Sequence, residues 1–196
     1  MPHDFGYHAI FLIAMVALGI ARVRFWRRQS EVLGIAFLRR EATLREVRQI
    51  AALVAFAAIV LRMVTPRLMA WSEFPVPEAI RTVAAILTVL LVLLVMAIAR
   101  YARQRLEPPS RRTFVATGPY RFVRHPLYAS MSALALPMTL LAASWLVGLV
   151  GAAFVASLII RARREDAELM QSGGADYREY ARRTPAFVPR LTPQRA

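Results

Sequence analysis

The sequence predicts an all-α, polytopic integral membrane protein of about five transmembrane helices, closed by a C-terminal helical hairpin and flanked by cytoplasmic amphipathic helices. Three observations carry that prediction. Hydrophobic residues make up 58% of the chain and the mean hydropathy is +0.44, both above the range of a typical soluble domain. Apolar runs recur along the 196 residues, and residues 129–160 contain no charge at all. The basic residues are all Arg, and most cluster at alternate ends of these runs, as the positive-inside rule requires. This length suits one structural domain.

Composition also excludes several classes of function. With no Cys, there is no disulfide framework and no thiolate metal site. Three His, two of them near the N-terminus, do not make a structural zinc site, so no metal is expected. A formal net charge of +14 raises nucleic acid as a partner. The placement of the Arg residues beside apolar runs, with no soluble domain to carry a basic face, speaks against it.

In chain order, residues 7–20 form a first uncharged run, reaching about Val23 if Arg22 snorkels. The segment before it lacks the basic residues of a signal peptide, so the run is read as a retained span. Arg22, Arg24, Arg27 and Arg28 follow, with Phe25 and Trp26 placed like interfacial anchors. Residues 31–49 are amphipathic and predict a helix in the cytoplasmic headgroup plane that continues into the next span.

Residues 50–64 are the second run, interrupted by Arg62. Residues 65–77 read as a loop facing away from the cytoplasm, with Pro66, Pro75 and Pro77, and with Trp71 and Phe74 at the interface. Glu78 opens the third helix, whose span is residues 83–99. Arg100, Arg103, Arg105, Arg111 and Arg112 mark the return, and Pro108-Pro109 ends the helix.

Residues 129–160 are far longer than one bilayer core at about 1.5 Å per residue. Ala142-Ala143-Ser144 near the middle permits a tight hairpin, Pro137 predicts a kink in the first arm, and Gly148 and Gly151 allow close helix approach. Arg161, Arg163 and Arg164 then return the chain to the cytoplasm, and residues 191–196 read as a loose tail. Five crossings place the N-terminus outside, with the Arg-rich loops and the C-terminus inside, in a membrane expected to be the bacterial inner membrane.

Two polar constellations stand against this apolar background. Residues 113–130 read TFVATGPYRFVRHPLYAS. Gly118-Pro119 breaks any helix, and His125-Pro126 turns the chain again before a new helix begins. Between the breaks lie Tyr120, Arg121, Arg124, His125 and Tyr128. A loop that merely connected two helices would not need such chemistry. The second constellation begins as the last apolar run ends, with Arg161, Glu165 and Asp166. Arg161 and Glu165 are i,i+4 neighbours, whereas Arg161 and Asp166 stand about 140° apart around a helix. Gly173-Gly174, read as a flexible break, precedes Tyr177 and Tyr180 on one face. A hairpin would set these two patches side by side, in a chamber with cationic, anionic and aromatic walls that opens toward lipid.

The run GPYRFVRHPLY resembles the G-P-Y-x-x-x-R-H-P-x-Y signature of the isoprenylcysteine carboxyl methyltransferase family and its phospholipid methyltransferase relatives. The distal run R-A-R-R-E-D-A-E-L, followed by D-Y-R-E-Y and Thr184-Pro185, is similar to that family's second block, usually R-x-x-x-E-E-x-x-L and then G-x-E-Y-x-x-Y. The resemblance covers about residues 113–190, and the N-terminal half matches only in hydropathy. It divides the single domain into N-terminal membrane helices at 1–112 and a methyltransferase core at 113–196. Asp166 stands where Glu is common, Ser130 replaces a frequent Gly, and Gly173-Gly174-Ala175 departs from the usual F-G-x-E.

The resemblance implies an S-adenosylmethionine-dependent methyltransferase, its product S-adenosylhomocysteine, acting on a lipophilic or lipid acceptor of the isoprenylcysteine type. Tyr120, Arg124, His125, Leu127 and Tyr128 would line the cofactor site, with Glu165 pairing the cofactor's ammonium and Tyr177 and Tyr180 completing it. Arg161 and Asp166 would stand close to the transferred methyl as catalytic residues. An ionised carboxylate acceptor needs alignment rather than a base, whereas an amine must first lose a proton, for which Asp166 or Glu165 is the candidate. The alternatives are a phospholipid N-methyltransferase, a small-molecule methyltransferase, and a non-catalytic scaffold or transporter. Transport would favour charges or helix breaks at mid-membrane, and the predicted helix centres here are apolar.

Overall fold

Long apolar stretches must satisfy their backbone groups internally in lipid, and the chain does so with helices. A computed structural model describes the backbone of residues 2–40, 42–105 and 114–189, with side chains except at 2–4, 25–40, 42–45, 47, 62 and 66. Among the described residues it is all-helical. The α-helices are α1 (Pro2–Arg40), α2 (Ala42–Val64), α3 (Pro66–Met69), α4 (Glu78–Arg105), α5 (Pro126–Ala133), α6 (Ala135–Ala142), α7 (Trp145–Ser172) and α8 (Gly174–Arg183). Short 3₁₀ turns occupy Ala70–Ser72 and Gly118–Arg121.

Among the described residues, three helices are long and apolar enough to cross a membrane: the Phe5–Arg24 part of α1, all of α4, and α7. Arg48–Leu61 and Pro126–Ala142 are shorter apolar stretches. The expected second span and first hairpin arm both exist as helices, α2 over 23 residues and the arm as α5 and α6. Large apolar side chains such as Ile86, Leu90, Leu93 and Leu149 are exposed along these helices, as a lipid-facing surface requires. The core lies between them, where Phe11, Ile59, Val92, Leu134, Leu141 and Val147 are buried.

The region after the first span differs from expectation. The backbone of α1 runs unbroken to Arg40, and α2 begins at Ala42. The amphipathic stretch 31–49 thus covers the end of α1 and the start of α2. The expected anchors Phe25 and Trp26 and the side-chain pattern of 31–45 lie outside the described side chains. Pro108-Pro109 and the tail 191–196 lie outside the described residues.

The hairpin is present. Its first arm breaks at Leu134, between α5 and α6. Pro137 accounts for the break, because its ring clashes with the carbonyl four residues earlier, at Ala133. The chain reverses at Ala143, which adopts a left-handed conformation with φ 47°. Thr139 and Ala135 of α6 then lie over Gly148 and Gly151 of α7.

Contacts sort the helix ends into two groups. At one end, the Tyr7 hydroxyl is 2.9 Å from Thr82 Oγ1, so α1 and α4 start together. Arg81 donates to the Leu141 carbonyl at 3.1 Å and lies over the Tyr7 ring, bringing the end of α6 to the same place. Residues 71–74 cover the hairpin tip there. The Phe74 N–H donates to Ala143 O, Trp145 Nε1–H donates to Trp71 O, and Ser72 meets Ser144. The opposite end gathers the end of α4, the start of α5 and the end of α7, and with them both polar motifs.

Candidate active site

The first motif is shaped by its breaks. Gly118 sits at φ 61°, and a Cβ there would lie 2.4 Å from the Tyr101 ring, so the turn rests directly on the end of α4. The Tyr101 hydroxyl reaches Thr117 Oγ1 at 2.9 Å. Pro126 occupies the first turn of α5, which holds His125 outside the helix. Arg124 and His125 are therefore presented on non-helical backbone. Their N–H groups donate to the carbonyls of Pro185 (2.8 Å) and Ala186 (3.0 Å), in the segment that follows α8.

The second motif is the polar end of α7. Glu165 and Asp166 are adjacent, so their side chains leave the helix about 100° apart and meet different partners. Asp166 Oδ2 accepts from Arg124 Nη2 at 2.7 Å. Its Oδ1 lies 2.9 Å from His125 Nε2 and accepts from the Tyr177 hydroxyl at 2.5 Å. Glu165 instead accepts from the Tyr128 hydroxyl at 3.1 Å, and that hydroxyl accepts from Arg161 Nε at 2.6 Å. Tyr128 thus stands between a guanidinium and a carboxylate one helical turn apart.

The third contributor is α8. Gly173-Gly174 is a tight turn, not the flexible break expected: a Cβ at Gly173 would lie 2.6 Å from Tyr177 Cβ, and Gly174 has φ 61°. The turn buries Tyr177, of which 1% is exposed, and aims its hydroxyl at Asp166. The Tyr180 hydroxyl donates to the Tyr120 carbonyl at 2.7 Å. Arg124 Nη1 donates to the carbonyls of Ala181 and Thr184 at 2.7 and 3.0 Å, satisfying acceptors that the end of α8 would otherwise leave open.

Aromatic rings fill the space between these groups. His125 stacks on Tyr128 with centroids 5.6 Å apart, and Phe187 lies 5.8 Å from the imidazole. Phe114 packs edge-on against Tyr177 and stacks on Tyr180. Burial, reinforced by the Asp166 carboxylate that it donates to, raises the Tyr177 hydroxyl well above the ordinary phenol range. It therefore remains a donor at neutral pH. Burial likewise raises Tyr120, with Glu165 adding, and pushes Tyr180 up to about 12 against the opposing effect of Arg124.

The structure brings Arg124, His125, Tyr128, Arg161, Glu165, Asp166 and Tyr177 into one network, with Tyr120 and Tyr180 beside it. Leu127 lies apart from it and packs against the apolar core instead. Arg161 and Asp166 head separate branches of this network. Sequence reasoning missed Tyr101, Phe114 and Phe187, which carry no spacing signal and join the site only through the fold. Among the described residues, no group of three or more His, Cys, Asp or Glu gathers that would hold a metal ion.

Comparison with known proteins bears on this site directly. The cobalt-zinc-cadmium resistance protein CzcN of Cupriavidus metallidurans is 38% identical over 80 residues, which cover 41% of this chain. That alignment spans 37% of the relative, little more than a third of its length. A family model, isoprenylcysteine carboxyl methyltransferase (ICMT), matches residues 79–171, from the first turn of α4 to the last turn of α7. The match starts well before the boundary expected at residue 113, and it holds Arg124, His125, Tyr128, Arg161, Glu165 and Asp166. Residues 79–171 are thus similar to the isoprenylcysteine carboxyl methyltransferase family.

Proposed function

We propose that the protein is a membrane-embedded S-adenosylmethionine-dependent methyltransferase acting on a lipophilic acceptor with an ionised carboxylate. One observation carries this reading: Arg161, Tyr128 and Glu165 form a continuous donor–acceptor chain at the base of an apolar hairpin. Such a chain offers a cation for an anionic acceptor and a carboxylate for a cationic donor within one small region. The donor set also suits a cationic methyl donor beside an anionic acceptor, because Glu165 matches an ammonium while Arg161 matches a carboxylate.

When bound, the cofactor supplies an electrophilic methyl on a sulfonium. Transfer of that methyl to a carboxylate acceptor would require no proton to move. The residues of this chain orient and exclude water. Arg161 aligns the acceptor, with its Nε–H steadied by the Tyr128 hydroxyl. Glu165 would hold the positive end of the cofactor, with the His125 ring stacked beside Tyr128 and with Tyr120 and Tyr180 completing the chamber wall. Tyr177 and Leu127 stand behind that wall, the first buried against Asp166 and the second against the core. The Arg-rich segments of the sequence support a cytoplasmic side for the site end by the positive-inside rule.

The test is S-adenosylmethionine binding by detergent-purified protein, with a labelled-methyl screen over prenylcysteine, phosphatidylethanolamine and a small thiol. Binding by the wild type, weakened in His125→Ala and retained in Arg161→Ala with loss of turnover, is the expected result. No binding by the wild type overturns the reading. Methylation of phosphatidylethanolamine alone would replace the carboxylate acceptor by an amine, with Glu165 as the nearest candidate base.

A further inference from the structure

We infer that Asp166 is a positioning residue, a clamp that joins three segments and orients His125, and not a group that touches the reacting atoms. The inference rests on the methyltransferase reading only for what the clamp serves. Its geometry stands independently. Both carboxylate oxygens of Asp166 are engaged, Oδ2 by Arg124 and Oδ1 by His125 and Tyr177. These partners come from the loop before α5 and from α8. Through Arg124, the clamp extends to the carbonyls of Ala181 and Thr184.

An ionised carboxylate only accepts hydrogen bonds, so the His125–Asp166 contact requires a proton on Nε2. Asp166 therefore fixes which imidazole nitrogen carries the proton, much as a second-sphere carboxylate orients a ligating histidine. A general base or an acceptor-binding group would keep an oxygen directed at the substrate. Asp166 has three donors on two oxygens, whereas Glu165, one residue earlier, meets the Tyr128–Arg161 branch. The adjacent acids thus divide the work: Glu165 faces the chemistry and Asp166 holds the walls together. The ion pair is largely withdrawn from solvent, with Arg124 15% and Asp166 18% exposed, so removing the charge leaves a cation poorly compensated.

The experiment compares Asp166→Asn, Asp166→Glu, Tyr177→Phe and Arg161→Lys in the full chain in detergent, with three readouts. The first is trypsin cleavage after Arg183, an exposed residue at the end of α8 just before the segment that pairs with Arg124 and His125. Asp166→Asn is expected to speed it about tenfold and Tyr177→Phe less, with Arg161→Lys unchanged. The second is the ¹⁵N spectrum of histidine-labelled protein, in which only three His contribute and the His125 signal is the one missing in His125→Gln. Nε2 protonation is expected in the wild type and Asp166→Glu, and its loss in Asp166→Asn. The third is steady-state kinetics, where Asp166→Asn and Tyr177→Phe raise KM for S-adenosylmethionine about tenfold with kcat within about threefold. Asp166→Glu restores most of each property.

Loss of kcat in Asp166→Asn at wild-type KM, protease resistance and ring protonation would place Asp166 at the reacting atoms and overturn the inference. So would failure of Asp166→Glu to rescue any readout. If Asp166→Asn does not fold, Tyr177→Phe, which removes one hydroxyl, carries the test. Should the wild type not bind S-adenosylmethionine, the methyltransferase reading falls, and the protease and ¹⁵N readouts still decide the clamp.

Discussion

At its tip, the hairpin is closed mainly by neutral groups, backbone amides, two serines and a pair of tryptophans whose ring centroids stand 4.8 Å apart, with Arg81 adding a charged donor to the Leu141 carbonyl. At its base, the same two arms and α8 meet through two carboxylates, two guanidiniums, an imidazole and two phenols. Both ends need partners for polar atoms exposed where a helix starts or stops. Only the base gathers more charge than holding helices together requires. Charge withdrawn from water is costly and is retained where something must be recognised or aligned. The contrast separates a structural closure from a chemical one within a single hairpin.

The largest expected effect is at the base. Arg161→Lys keeps the charge but loses the planar fork, and should lower methyl transfer about 10²-fold or more with cofactor affinity nearly unchanged, as read by labelled-methyl assay and titration. An equal loss from a tip substitution would dissolve the contrast. Tyr128→Phe removes the hydroxyl between Arg161 and Glu165 and should reduce kcat about tenfold, more than it changes KM. An effect on KM alone would reassign Tyr128 to binding.

Gly118→Ala forces a side chain into the left-handed region against the Tyr101 ring. It should destabilise the fold by about 1–3 kcal/mol, seen as a lower thermal midpoint in detergent. The smallest effect is expected at the tip, where Ser144→Ala removes its contact with Ser72 and should cost about 1 kcal/mol, with turnover unchanged. A loss of turnover there would show that the two closures are coupled through the helices.

Much of this arrangement was legible in the residues. Ala142-Ala143-Ser144 and Pro137 announced the reversal and the break in the first arm, because small residues and an imino acid act through local geometry. The uncharged stretch 129–160 announced a hairpin for the same reason that lipid admits only satisfied backbone. Gly173-Gly174 was misread, since the sequence marks a glycine pair but not the tyrosine packed against it. The extent of α1 was also misread. Its Arg cluster suggested a boundary, yet Arg is a good helix former and does not interrupt hydrogen bonding along the chain.

What the sequence determined by itself was the class of fold, the hairpin, and the residue types that would meet at its base. Periodicity, charge placement and helix breakers are local properties, and they survive without coordinates. Which acid would face which partner was decided only by tertiary structure. Glu165 and Asp166 are neighbours of like charge, and no pattern in the chain separates their roles. A rotation of about 100° around α7 does so, sending one to Tyr128 and the other to Arg124, His125 and Tyr177. That assignment depends on where α5 and α8 pack against α7, which is a property of the assembled bundle.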